Sequence, residues 1–344
     1  MTNAVEEAST TLTYQRQGVF SRILSWPASR ALLAVILIFA VSPMISTASV
    51  GSLAIKAMLP FASLIAVVAM GQTLVIQQGG LDLSIPGSVA LGTIIVGKYG
   101  SDPHVGLTGS IVLAIVLTSL FGLLSGVIVV QFGLPPLVVT LASNALMVGA
   151  VQAITGGFSV QSPVSLSTFA ISRWAGLPVI FVIVSAVAVV IQVILKLTRV
   201  GRCFELVGEN PRSARIIGLK TKSYVISAYW ISAAMGAGCG VLLIGLLNSP
   251  SINPGDTYLL PSIAAVVLGG TALTGGRGSL IGTAMGALFL GQLSQLVQTF
   301  TQTTAVQNII QASIIGIGIV AQIQLGGSTL RLRKMATRSK VEKT

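Results

Sequence analysis

A succession of apolar runs, separated for the most part by short connections, constrains this chain more than any other feature. A bilayer core about 30 Å thick is crossed by roughly 20 apolar helical residues, and ten such segments can be drawn. They are 31–46, 53–78, 84–99, 108–131, 134–155, 178–198, 225–248, 258–273, 279–299 and 306–325. The shorter ones fit positions covered by neighbouring protein, because backbone in lipid must satisfy its own hydrogen bonds as helix. With 53% hydrophobic and only 8% charged residues, 344 residues carry too little charge to clothe a soluble globule. The expected fold is therefore all-α, a polytopic membrane protein of about ten transmembrane helices.

The net charge of +12 takes its meaning from its placement. Arg16, Arg22 and Arg30 precede the first run. Lys196, Arg199, Arg202, Arg212, Arg215, Lys220 and Lys222 surround one interior interval, and Arg331, Arg333, Lys334, Arg338, Lys340 and Lys343 close the chain. Sixteen of the 20 basic residues thus sit in three clusters, which reads as the positive-inside bias of a membrane protein and not as a nucleic-acid surface. Both termini and the interior interval are then cytoplasmic. Six spans before the interval and four after it satisfy that assignment. The implied organisation is a tail over 1–30, a transmembrane domain over 31–325 and a basic tail over 326–344. Gly79–Leu83 and Gly275–Gly278 fall on the cytoplasmic side, and Lys98–Val105, Gly156–Gly176 and Asn248–Tyr258 outside.

The interior interval, about residues 199–222, holds a short helix in its pattern. Asn210 suits an N-cap, Pro211 the first helical position and Gly218 a left-handed end. Arg212 and Arg215 share one face of Pro211–Ile217, with Ile216, Ile217 and Leu219 towards another. A helix this short needs a surface to lie on; it is either a turn in a solvated linker or a docking helix for a cytoplasmic partner.

Chemistry is sparse. There is no G-x-x-x-x-G-K-[ST] phosphate loop, no H-E-x-x-H and no paired cysteines, Cys203 and Cys239 being far apart and His104 having only Asp102 beside it. No catalytic, cofactor or metal site is expected, and the chain is not read as an enzyme.

Two stretches interrupt the apolar pattern with glycine: GQTLVIQQGGLDLSIPGSVALG from Gly71, and LGGTALTGGRGSLIGTAMG from Leu268. Irregular backbone survives at membrane depth only where protein or water covers it, so broken spans often line a pathway. Asp82, in Gly79-Gly80-Leu81-Asp82-Leu83-Ser84, either caps the next helix with Ser84 or contacts a translocated solute at a gate. Neutral polar residues within spans, among them Gln72, Thr73, Gln77, Thr271 and the stripe Gln292, Gln295 and Gln298, suit a path for a neutral polyhydroxylated solute. They equally suit interhelical hydrogen bonds. Gly236 with Gly240, and Gly282 with Gly286, are pairs that allow close helix approach.

The two glycine stretches together carry a resemblance. Gly71-Gln72-Thr73-Leu74-Val75-Ile76 with Gly79-Gly80-Leu81-Asp82-Leu83-Ser84 resembles the first signature of the ribose-type permease subunits of bacterial ATP-binding-cassette sugar importers. Ile263 through Leu268-Gly269-Gly270-Thr271 and Gly275-Gly276-Arg277-Gly278 is similar to the second, and Gly208-Glu209-Asn210 with Ala214, Ile217 and Gly218 to the cytoplasmic loop. The chain departs from that pattern at Thr257-Tyr258-Leu259-Leu260-Pro261, where the family commonly has G-Y-E-L-D.

The resemblance implies a permease in the bacterial inner membrane that binds no cofactor itself. Its partners would be a cytoplasmic ATPase that uses ATP and Mg, a second permease subunit, the same or paralogous, and a periplasmic solute-binding protein. It makes Pro211–Ile217 a coupling helix, with Glu209, Asn210, Arg212, Ala214, Arg215 and Gly218 as its coupling residues. Gln72, Thr73, Gly79, Gly80, Asp82, Ser84, Gly269, Gly270, Thr271, Gly275 and Gly276 then fall on the pathway or its gate. The alternatives are a branched-chain amino acid permease of the related importer group, and a facilitative or ion-coupled transporter.

Overall fold

In the computed structural model the described residues are 27–301 and, beyond them, 303, 305–307, 309–310, 312–313 and 316. The basic C-terminal tail, almost all of the N-terminal tail and most of the tenth predicted segment lie outside them. Twelve helices run through residues 27–301: α1 (Pro27–Ile45), α2 (Ser52–Gln77), α3 (Ile85–Tyr99), α4 (Gly106–Phe132), α5 (Pro136–Thr155), α6 (Val164–Ile171), α7 (Val179–Leu197), α8 (Arg199–Glu209), α9 (Pro211–Ile216), α10 (Thr221–Leu247), α11 (Asp256–Leu268) and α12 (Leu280–Gln298). A two-residue hairpin, β1 (Arg173–Trp174) with β2 (Leu177–Pro178), is the one departure from helix beyond turns and a 3-10 turn at Thr47–Val50.

Six helices, α2, α4, α5, α7, α10 and α12, are long and apolar enough to cross a membrane. Among the described residues the remaining apolar helices, α1, α3 and α11, are shorter by that measure. Of the ten predicted segments, the described residues thus show six long helices and three shorter apolar ones. The reason is burial. From Ile85 to Val96 every residue of α3 is enclosed by protein, so its ends need not reach both bilayer faces.

The centre of the bundle is α2, α10 and α12, with α3 and α11 packed among them. Helices α4, α5 and α7 are outer, presenting Val116, Leu120, Val138, Leu141, Val189 and Val190 outward. The predicted glycine pairs make the inner contacts. A Cβ on Gly236 would lie 2.6 Å from the Ser88 side chain, and one on Gly240 would collide with the Val89 carbonyl, so α10 lies directly on α3. Gly282 and Gly286 do the same for α12 on α11, against Gly269 and Ala265.

Helix α8 is absent from the sequence reading, which took this stretch as polar loop. It is amphipathic: Gly201, Phe204 and Val207 are buried at a three-residue spacing, and the Thr198 hydroxyl accepts from Gly201 N at 3.1 Å as its N-cap. Phe204 packs edge-on against Tyr224 of α10, with ring centroids 6.4 Å apart. The next helix, α9, starts where expected. The Asn210 side chain accepts from Ser213 N at 3.0 Å, Pro211 occupies the first turn, and Gly218 beyond its end has φ +84°.

Candidate functional site

Two depths of the molecule matter, the mid-height of the bundle and one of its ends. At mid-height, two short helices begin. Gly87 N, in the first turn of α3, donates to the Asn144 side chain at 2.7 Å, and Asn144 lies near the middle of α5. Gly255, the residue before α11, sits so close to Pro86 that a Cβ would collide with the Pro86 backbone. The segment after α10 therefore runs inward from the bundle end before α11 starts. Both half-helices point their N-termini, the positive ends of their dipoles, into the interior. Asp256 opens α11 there with its side chain exposed, followed by exposed Thr257. Neither residue was named a site residue from the sequence, which placed Asn248–Tyr258 in an outer loop and noted Thr257 only as a departure from the family pattern; the carboxylate on an otherwise apolar segment was the available signal.

Asp82 occupies the N-terminal end of α3. Its Oδ1 accepts from Ser84 N at 2.9 Å and from Ser84 Oγ at 2.5 Å, and its Oδ2 accepts from Ser232 Oγ of α10 at 2.7 Å. The carboxylate is 1% exposed. Burying a charge is costly unless it is hydrogen-bonded, and here three donors and a helix N-terminus meet it. Ser84 is the N-cap of α3, but its side chain makes no cap hydrogen bond, and Asp82 accepts from the Ser84 N–H itself, a side-chain turn just ahead of the helix. Gly80 lies beneath Tyr229 of α10, whose hydroxyl a Cβ would strike.

The second depth is the end where the glycine stretches meet the polar interval. The first break turns at Gly79 and the second at Gly275 and Gly276, which adopt φ +90° and +97°, a region that favours glycine. Gly276 N donates to the Gln77 carbonyl at 3.0 Å. Gly275 lies against Gly79, a Cβ there coming within 3.2 Å of its backbone. Helix α8 closes over this seam. Gly208 lies so tightly on the Gln77 carbonyl that a side chain would not fit, and Gln78 Nε2 donates to the Phe204 carbonyl at 2.9 Å. Arg277 Nε pairs with the Glu209 carboxylate, and Leu280 N, opening α12, donates to the Gln192 side chain of α7 at 3.1 Å.

The predicted residues thus fall into two groups that touch. Gly79, Gly275, Gly276, Glu209 and the Gln77 carbonyl share the seam, and Thr271, buried, flanks Gly278 together with the Gln77 amide. Gly269 packs on the start of α12, with Gly270 turning after it at φ +87°. Thr73 bonds Thr283 of α12 at 2.8 Å, and Gln72 is buried with its amide unpartnered among the described residues. Of the glutamine stripe, Gln292 donates to Ser42 of α1 at 3.1 Å, an ordinary interhelical bond. On α9, Ala214 is buried against the protein, while Arg212, Arg215, Ile216 and Ile217 point outward, with Ile216 86% exposed. No group of three or more metal-ligating side chains occurs among the described residues. An apolar groove between α2, α7 and α12, lined by Ala62, Ala66, Val184, Ala188 and Ala284, offers a polyhydroxylated solute little beyond Ser63 and Ser185.

Residues 54–319 match the family described as branched-chain amino acid transport system / permease component. The chain is similar to the ribose import permease protein RbsC of Haemophilus influenzae, 30% identical over 88% of this chain and 94% of the relative. It is also similar to RbsC of Escherichia coli K12, 30% identical over 74% and 81%. A third relative is the autoinducer 2 import system permease protein LsrD of Yersinia enterocolitica, 29% identical over 75% and 80%. No solved structure matches the chain.

Proposed function

Because this chain belongs to the branched-chain amino acid transport system / permease component family, a family of membrane permeases and not of enzymes, we propose that it is the membrane subunit of an ATP-driven bacterial importer. The solute is a sugar or sugar-like polyol, and the membrane is the inner one. The relatives named for ribose and autoinducer 2 import support that solute class. Both termini are cytoplasmic, and about ten membrane-crossing or half-crossing segments connect them, as the three basic clusters imply. A cytoplasmic ATPase hydrolyses ATP with Mg, a second permease subunit completes the pathway, and a periplasmic binding protein delivers the solute.

The observation that carries the reading is the seam. An amphipathic helix with exposed Arg212, Arg215, Ile216 and Ile217 is joined to both glycine breaks, through Gly208 on Gln77 and Glu209 on Arg277. A partner that grips α9 therefore moves both breaks. In the proposed cycle, ATP binding draws α9 with the ATPase, α8 pulls on the second break, and the gate formed by Gly79, Gly275 and Gly276 opens or closes. Asp256 and Thr257, exposed at mid-height beside two half-helix N-termini, are the solute-facing polar groups on the outer side of that gate.

The test is uptake of labelled ribose, other pentoses, hexoses, polyols and leucine by cells lacking this chain, with the ATPase intact or catalytically dead. Loss of one sugar's uptake in both backgrounds is expected. Loss of leucine uptake alone would move the assignment to a branched-chain amino acid importer, and uptake indifferent to the ATPase would move it to a facilitator.

A further inference from the structure

Tyr229 of α10 is 1% exposed, and its hydroxyl has no hydrogen-bond partner among the described residues. Buried hydroxyls are ordinarily paired, and one left alone calls for a reason. Its position supplies one. The hydroxyl lies against Gly80, two residues from Asp82, and within electrostatic reach of that carboxylate. Asp82 meanwhile takes its only bond from α10 from Ser232. Residues 229 and 232 are three apart and stand one above the other on a single helix face. One buried acceptor on the first break thus faces two hydroxyl donors on α10, one engaged and one free.

Helix α10 is also the element that follows the docking segment. It begins at Thr221, three residues beyond Gly218, and Tyr224 in its first turn packs on Phe204 of α8. Its contacts nearby are smooth: Gly122 and Gly126 of α4 and Gly71 of α2 meet its backbone at Tyr229, Ile226 and Ser232. Glycine surfaces leave few side-chain ridges to oppose a small axial shift. Exchanging Ser232 for Tyr229 at a fixed Asp82 requires at most about 4.5 Å of travel, three residues of helix rise, within the range of known helix ratchets.

We propose that Ser232 and Tyr229 are alternative positioning partners of Asp82: Ser232 holds the first break in the conformation seen here, and Tyr229 takes the carboxylate when α10 follows α9. The first break is thereby switched between two hydrogen-bonded states and never passes through a lasting unpaired charge. This inference rests on the ATP-driven import reading above, and adds residues that reading did not contain.

The experiment uses the complete complex of this chain with its ATPase, in proteoliposomes, in a Cys203→Ser background. Leu81→Cys reports on the first break through its rate of labelling by a membrane-impermeant maleimide, with and without ATP and vanadate. The nucleotide-dependent change in rate is expected to fall on the order of tenfold in Tyr229→Phe, the worth of one hydrogen bond to a charged group. The thermal midpoint of the purified complex is expected to stay level or rise, since an unpaired buried hydroxyl is removed. Ser232→Ala is expected to shift the nucleotide-free rate toward the trapped value and to raise ATP hydrolysis per solute imported. A Tyr229→Phe complex with the parent's full nucleotide response would overturn the proposal, as would a response lost only in step with a fallen midpoint. A parent complex with no nucleotide response would instead overturn the import reading on which it rests.

Discussion

The two glycine breaks look alike in sequence and are held in different ways. The first, between α2 and α3, is anchored from within: Asp82 is enclosed and satisfied by Ser84 and Ser232, and Gly80 lies beneath Tyr229. The second, between α11 and α12, is exposed at Ala272, Leu273, Thr274 and Arg277. Its turn is held by partners outside itself, the Gln77 carbonyl and Glu209. The first break therefore changes as its hydrogen-bond partners on α10 exchange, whereas the second, held by α8, must follow α8. The difference couples the first break to α10 and the second directly to α8.

The largest effect that would sharpen the contrast is Asp82→Ala. It leaves the hydroxyls of Ser84 and Ser232 and the Ser84 N–H without their acceptor, and should destabilise the folded chain by about 3 kcal/mol. Thermal melts in detergent and the amount of protein in the membrane would both fall; unchanged melting would remove the claim of internal anchoring. Next comes Gly276→Ala, which forces a side chain into a left-handed backbone at a cost of about 1–2 kcal/mol. Its uptake should fall further than its melting temperature accounts for, because the bond to Gln77 goes with the turn.

Glu209→Arg should be different in kind. An exposed ion pair contributes at most about 1 kcal/mol to stability, so melting should barely change while solute uptake per ATP falls several-fold. The smallest expected effect on folding belongs to Asp256→Asn, whose exposed carboxylate makes no ion pair among the described residues. Melting should be unaltered and uptake reduced severalfold; full uptake would remove Asp256 from the pathway.

Much of this was legible in the sequence where a local rule applied. Apolar length marked the long helices, Asn210, Pro211 and Gly218 marked both ends of α9, and the spaced glycines marked the α10–α3 and α12–α11 contacts. The rest depends on contacts that no local pattern records. Ser232 and Asp82 meet across 150 residues of chain. The inward start of α11 follows from Gly255 resting on Pro86, which apolar counting could not separate from an outer loop. Helix α8 was hidden because its buried face is three residues wide in an otherwise polar run, and its stability comes from packing on α7 and α10.

The most direct test of the central claim, that the docking segment controls the second break through its contact with α8, is a charge exchange at that contact. ATP hydrolysed per solute imported would be measured in proteoliposomes containing the complete complex, for Glu209→Arg, Arg277→Glu and the two combined. The account predicts poor coupling in each single variant and recovery of most of it in the pair, with nearly equal melting throughout. Three variants coupled as well as the parent, or a pair no better than its worse member, would contradict it.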